Sequence, residues 1–177
     1  MRDQHADSGG AQPPADVQRP LRIALLSYRS KAHSGGQGIY IRHLSRELAA
    51  LGHDVEVISG PPYPPLDAGP RLTMVPSLDL YREPDPFRVP RPSEFRSAID
   101  VYEFLSMCTG AFPEPLTFSM RARRLLSKRP PEQQPDIIHD NQTLGYGMVL
   151  MEKQGLPVVA TIHHPITVDK SLELASG

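Results

Sequence analysis

The run Leu21-Arg22-Ile23-Ala24-Leu25-Leu26-Ser27 is followed by Ser34-Gly35-Gly36-Gln37-Gly38, by Ile41, Leu44, Leu48 and Leu51 at helical spacing, by Gly52, and by Asp54-Val55-Glu56-Val57-Ile58-Ser59. The first run is too short for a helix of its own and apolar enough for a strand buried on both faces. Gly35, Gly36 and Gly38 permit a sharp turn that lets a ligand approach the backbone, since glycine tolerates positive φ and carries no obstructing side chain. From Gln37 the apolar positions form one stripe, with Arg42, Arg46 and Glu47 between them and Gly52 as a C-terminal stop. The run from Asp54 alternates into a second strand. Strand, glycine loop, helix, strand is the order of a parallel unit. The expected class is therefore α/β, a Rossmann-like parallel sheet with helices on both faces.

Beyond this unit, Pro61-Pro62-Tyr63-Pro64-Pro65 opens a proline-interrupted excursion to Pro92, in which only Arg71-Leu72-Thr73-Met74-Val75 reads as a strand. So long a connection is uncommon in a compact domain unless it carries function. Its Tyr81, Arg82, Asp85 and Arg88 are candidates for an acceptor contact, and a loop wrapped on the domain surface fits the same residues. Ser93 can cap a helix that sets Phe95, Ile99, Tyr102 and Leu105 on one core-facing side. A basic helix is expected from Thr117 to Lys128, with Arg121, Arg123, Arg124 and Lys128 beside Phe118, Met120, Leu125 and Leu126. It suits a peripheral contact with an anionic membrane surface, and equally a solvated face. Asp136 to His139 reads as a short strand, Leu144 to Gln154 as a helix ended by Gly155, and Pro157 to Ile162 as another strand. Asp169 to Gly177 opens a further helix.

With 39% of 177 residues hydrophobic, the chain can bury one good core, and its 20 prolines imply long irregular stretches. The expected organisation is a disordered polar tail over residues 1–20 and a single domain over 21–177 that is incomplete at its carboxyl end. A formal net charge of -1 removes any general electrostatic reason to expect a nucleic-acid partner. Cys108 is the only cysteine, which excludes an internal disulfide and a thiol-rich metal site and makes the cytoplasm the default compartment. Neither a signal core nor a bilayer-spanning run is present in these residues.

In an open parallel sheet, ligands bind beyond the carboxyl ends of the strands, where strand order reverses. Gly35 and Gly36 follow the first strand, His139, Asp140 and Asn141 close another, and His163 and His164 follow the last, so the three groups should converge on one edge. Amides at a glycine turn opening a helix can hold a diphosphate, because their donors are unpaired and the helix dipole favours negative charge; a plain tight turn is the competing reading. The glycines match neither the dinucleotide fingerprint nor a Walker loop, and the second strand ends in Ser59-Gly60 where a nicotinamide-binding domain would place an acid. Three histidines near one edge invite a zinc reading, but no spacing here imposes a tetrahedral set, and no metal is expected.

Three segments together resemble the amino-terminal domain of glycosyltransferase family 4, retaining enzymes of the two-domain GT-B fold. They are Ser34-Gly35-Gly36-Gln37-Gly38 with Leu48 to Val57, Pro135 to Asn141, and Val158-Val159-Ala160-Thr161-Ile162-His163-His164. The resemblance implies transfer of a glycosyl group from a nucleotide diphosphate sugar, with no further cofactor, to a lipid, small metabolite or glycan acceptor. It sets Gly35, Gly36, Gln37 and Gly38 against the donor phosphates, His163 against the transferred sugar as the catalytic residue, and His139, Asp140, Asn141 and His164 near the substrates. The cationic clamp and an acidic pair seven residues apart belong to the family's carboxyl-terminal, donor-binding domain. Neither Glu47 with Glu56 nor Glu94 with Glu103 reproduces that pair. The expectation is a half-enzyme inactive alone, the alternative being a free-standing binding module for nucleotide sugar or acceptor, completed by a partner subunit.

Overall fold

The structure, a computed structural model, describes residues 19–30, 36–82 and 88–163. His164, Gly35 and Asp85 lie outside these residues, as do the expected tail at 1–18 and the helix after Asp169. Five strands form one parallel sheet: β1 (Arg22–Ser27), β2 (Asp54–Ser59), β3 (Arg71–Met74), β4 (Ile137–Asn141) and β5 (Val158–Thr161), ordered β3-β2-β1-β4-β5. Leu25 stands opposite Val57 on one side and His139 on the other. Chain order reverses between β1 and β4, so the crevice that such a sheet offers to ligands opens there.

Alternation along β1 accounts for both layers, since successive side chains point to opposite faces. Ile23 and Leu25 join Val55 and Val57 under Ile41 of helix α1 (Gly36–Ala50), with Leu44 and Leu48 packed alongside. Ala24 and Leu26 join Ile58 and Ile138 on the other face, under Phe118, Ala122 and Leu126 of α3 (Glu114–Leu126) and Met148 and Met151 of α4 (Tyr146–Glu152). Burial of each such large side chain contributes about 1.5–3 kcal/mol, and covering both faces is what makes a continuous apolar strand tenable. Leu51 departs from the expected stripe: α1 ends at Ala50, Gly52 takes φ 91°, and Leu51 is left 74% exposed. The helix α4 lies close on α3, and a Cβ on Gly147 would run into the Ser119 carbonyl oxygen.

Two expectations are corrected. Pro92–Glu94 forms only a 3₁₀ turn, and α2 (Ala98–Cys108) is capped by Ser97, whose hydroxyl accepts from the Asp100 amide, rather than by Ser93. The helix buries Asp100, Glu103 and Met107 and leaves Tyr102 and Leu105 51% and 59% exposed, so the Ile99-Tyr102-Leu105 stripe is not a core face. The reason is Arg121 of α3, whose guanidinium reaches Asp100 at 2.6 Å and Glu103 at 2.8 Å and pulls the polar side inward. The same contact corrects the basic helix: Arg121 is buried among carboxylates and cannot face a membrane, and the Nε of Arg123 is buried too. Arg124 and Lys128 alone of the four remain exposed.

The described part of the excursion after β2, residues 60–82 and 88–92, packs against the domain in places. Leu78 and Leu80 are buried against Met107, Phe95 and Phe104. Arg88 donates to the Leu78 carbonyl at 2.7 Å and pairs with Glu94, and Tyr81 stacks at a tilt on Phe112, so these two candidates for an acceptor contact serve to hold the loop.

Candidate functional site

At the switch point the first turn of α1 meets the carboxyl ends of β4 and β5. His139 and Asn141 project from β4 on the side covered by α1, because they share the parity of Ile137, which packs in that layer. His139 Nε2 and the Thr161 hydroxyl hydrogen bond at 2.7 Å, and the Tyr40 hydroxyl lies 3.3 Å from the same Thr161 oxygen. His163, just after β5, sets its Nε2 2.5 Å from Asn141 Oδ1, and its amide donates to Gln142 Oε1 at 3.0 Å. Gln37 Nε2 reaches that Gln142 oxygen at 3.4 Å. The Tyr40 ring packs edge-on to His163 with centroids 4.8 Å apart. Gln37 and Tyr40 of α1 are thus tied to both strand ends by two hydrogen-bonded groups that meet at the Tyr40–His163 ring contact.

The network fixes chemistry at His163. An amide oxygen only accepts, so Nε2 carries the proton and Nδ1 is the ring nitrogen left to meet another group. Asn141 is fully buried and its Nδ2 has no hydrogen-bond partner among the described residues, leaving a preorganised donor beside the histidine. Asp140 is also fully buried; its Oδ2 accepts from the Leu144 amide at 2.9 Å and anchors the turn in which Gln142 and Leu144 adopt φ 57° and 50°. Left-handed backbone at two non-glycine residues is costly and persists only where surroundings enforce it. Burial pushes the Asp140 carboxyl up despite those amide contacts. Burial holds His139 below the usual imidazole range against the pull of Asp140, with His163 adding to the depression.

Gly36 opens α1, and a Cβ there would meet nothing within 4 Å among the described residues. Gly38, two residues on in the same turn, is buried. The structure therefore brings together Gly36, Gln37, Gly38, His139, Asp140, Asn141 and His163 on one edge. Tyr40, Gln142 and Thr161 belong to the same network and were not expected from sequence. Their signal was weak: single polar residues at a strand end, after a strand, or on a helix, joined only in space. Among the described residues no three histidine, cysteine or acidic side chains stand close enough to hold a metal ion. No helix among them is long and apolar enough to cross a membrane.

The same edge carries a carboxyl the sequence did not single out. Glu114, at the start of α3, is buried with Oε2 unpartnered by any hydrogen bond and 3.8 Å from Arg29 Nη1. Burial pushes it up to about 7, Arg29 opposing and Glu103 and Asp79 adding.

A doubly wound sheet with polar side chains and a helix start gathered at its switch point defines a ligand-binding α/β domain. The family profile described as Glycosyltransferase Family 4 matches residues 34–175, and the chain belongs to that family. It is 63% identical over 158 residues to MMP alpha-(1->4)-mannosyltransferase of Mycolicibacterium hassiacum, a match covering 89% of this chain and 38% of the relative's length. Two solved structures are also similar, the calicheamicin glycosyltransferase CalG4 at TM-score 0.48 with 18% identity and the kitacinnamycin glycotransferase at 0.47 with 17%. These matches cover 88% and 89% of this chain and 37% and 35% of those chains, and at that distance they add nothing to the fold described above.

Proposed function

We propose that this chain is the amino-terminal, acceptor-side half of a retaining GT-B transferase that moves a mannosyl group from a nucleoside diphosphate sugar to a glycan acceptor. The observation that carries the reading is the placement of His163 on Asn141 at the sheet edge that α1 covers, on a chain 63% identical to a mannosyltransferase. Retaining transfer needs the departing diphosphate and a positively charged, oxocarbenium-like sugar to be stabilised on the face that the acceptor attacks. The unpaired amides at the start of α1, with Gly36, Gln37 and Gly38, suit the diphosphate. His163, with Nε2 committed to Asn141, offers Nδ1 to a sugar hydroxyl, and Tyr40 against its ring holds the orientation. The family's cationic clamp and acidic pair belong to its donor-binding domain, and the 177-residue chain, which spans 38% of the mannosyltransferase relative's length, is expected to be inactive by itself.

The test uses the full-length gene product with a panel of nucleoside diphosphate mannoses. His163→Ala is expected to lower kcat roughly 10²- to 10³-fold, the loss typical of one preorganised polar contact to the reacting group, with little change in melting temperature. Asn141→Leu should lower kcat less, roughly tenfold. Wild-type turnover by both variants would overturn the reading. NMR of the first-formed product reads the anomeric outcome, and inversion would remove the retaining assignment.

A further inference from the structure

We infer that the groove between the end of α3, the start of α2 and the strand β3 is a binding site for a single-chain amphiphile with an anionic head, separate from the His163 site. The cavity measures about 520 Å³, within the range of ligand pockets. Its floor is apolar, with Val75, Leu125 and Ile99 among the side chains that line it. Its rim is cationic: Arg124 in the last turn of α3 and Lys128 just past the helix line it, as does Arg96, the residue before the α2 cap. All three are exposed, and none has a side-chain hydrogen bond or ion pair among the described residues.

The two acidic residues on this lining do not offset them. Asp100 is held by Arg121, which also serves Glu103, and Glu94 by Arg88, so both lining carboxylates are ion-paired within the fold while the rim cations are not. Three unpaired cations over an apolar floor complement a molecule that carries a phosphate or carboxylate on an alkyl body. A free inorganic anion would leave the floor uncovered, and an uncharged amphiphile would leave the rim unmatched. The placement also gives Arg124 and Lys128, the exposed remnant of the basic helix, a specific partner that a merely solvated face would lack.

The experiment is calorimetric titration of the purified 177-residue chain with octyl, decyl and dodecyl phosphate at monomeric concentrations, beside inorganic phosphate and decyl maltoside. Affinity is expected to rise roughly fourfold per added methylene, the transfer increment for a buried CH₂, until the floor is covered. Decyl maltoside and inorganic phosphate should each bind at least tenfold more weakly than decyl phosphate. The double variant Arg124→Gln with Lys128→Gln, both exposed positions whose loss leaves the fold intact, should weaken decyl phosphate roughly tenfold, since each exposed ion pair is worth at most about a fivefold change. The inference is overturned by no dependence on chain length, by equal binding of the uncharged amphiphile, or by no effect of the double variant. Vesicles of phosphatidylglycerol and phosphatidylcholine form the last arm. Binding to the anionic vesicles without binding of monomeric decyl phosphate would assign the cations to a membrane surface and also overturn it.

Discussion

Replacing Arg121 by glutamine removes the cation that two buried carboxylates share. Its guanidinium makes three contacts, at 2.6 Å to Asp100 Oδ1, 2.8 Å to Glu103 Oε2 and 3.0 Å to Glu103 Oε1. The side chains of Arg121, Asp100 and Glu103 are only 10%, 10% and 2% exposed, so solvent cannot replace what is lost. Glu103 keeps the Thr117 hydroxyl at 2.6 Å but loses its counter-charge. Breaking a buried pair from one side costs about 3–5 kcal/mol, because an uncompensated charge stays behind. Against a total stability of about 5–15 kcal/mol that is a large fraction, and for a domain of this size it lowers Tm by roughly 6–20 °C. Urea unfolding followed by circular dichroism measures it, with Arg124→Gln, on the same helix but exposed, expected within about 0.5 kcal/mol of wild type. An Arg121→Gln variant as stable as Arg124→Gln would refute the buried triad, and with it the account of why α2 turns its polar side inward.

Glu114 gives a pH signature of opposite sign to a salt-bridged carboxylate. Its folded pKa of about 7 lies above its ordinary value, so its contribution is fully present below that ordinary value and is lost as pH rises through about 7. The loss from this group alone is about 3 kcal/mol, and Glu114→Gln should flatten the stability profile from pH 4.5 to 7; an unchanged profile would contradict the assignment. Gly147→Ala should lower Tm by several degrees, because its Cβ meets the Ser119 backbone, whereas Gly36→Ala should leave Tm unchanged or slightly raised. Equal melting temperatures for the two variants would contradict the close α3 to α4 approach. His139, held low by burial, works in the other direction: stability falls as pH drops below its ordinary value of 6.5, and His139→Gln should remove that fall, as read by urea titration from pH 5 to 7.

The βαβ order and the strand limits near Asp54 and Ser59 were legible because local pattern and global layer agree there: alternating residues of β1 serve two separate cores. The start of α2 is not legible in the sequence for a physical reason. Ser93 and Ser97 are both competent caps, and the choice is made by Asp100, whose carboxylate accepts from the Ser97 hydroxyl at 2.9 Å and the Arg96 amide at 2.9 Å. The inward turn of Glu103 was invisible because its counter-charge lies 18 residues away. At the site, His163 and Asn141 could be placed on one edge by the strand-end rule, while Tyr40 and Gln142 enter through contacts over 121 and 105 residues that no periodicity encodes.

The edge joining α1 to His163 is proposed to receive the nucleoside diphosphate sugar. An amide-resolved NMR titration of the ¹⁵N-labelled chain with nucleoside diphosphate mannoses, at concentrations high enough to see half a binding site, tests it most directly. The account predicts shifts centred on Gly36, Gln37, Gly38, Asn141 and His163, abolished by Gly36→Val. Shifts centred elsewhere, or none with the chain folded, would contradict it.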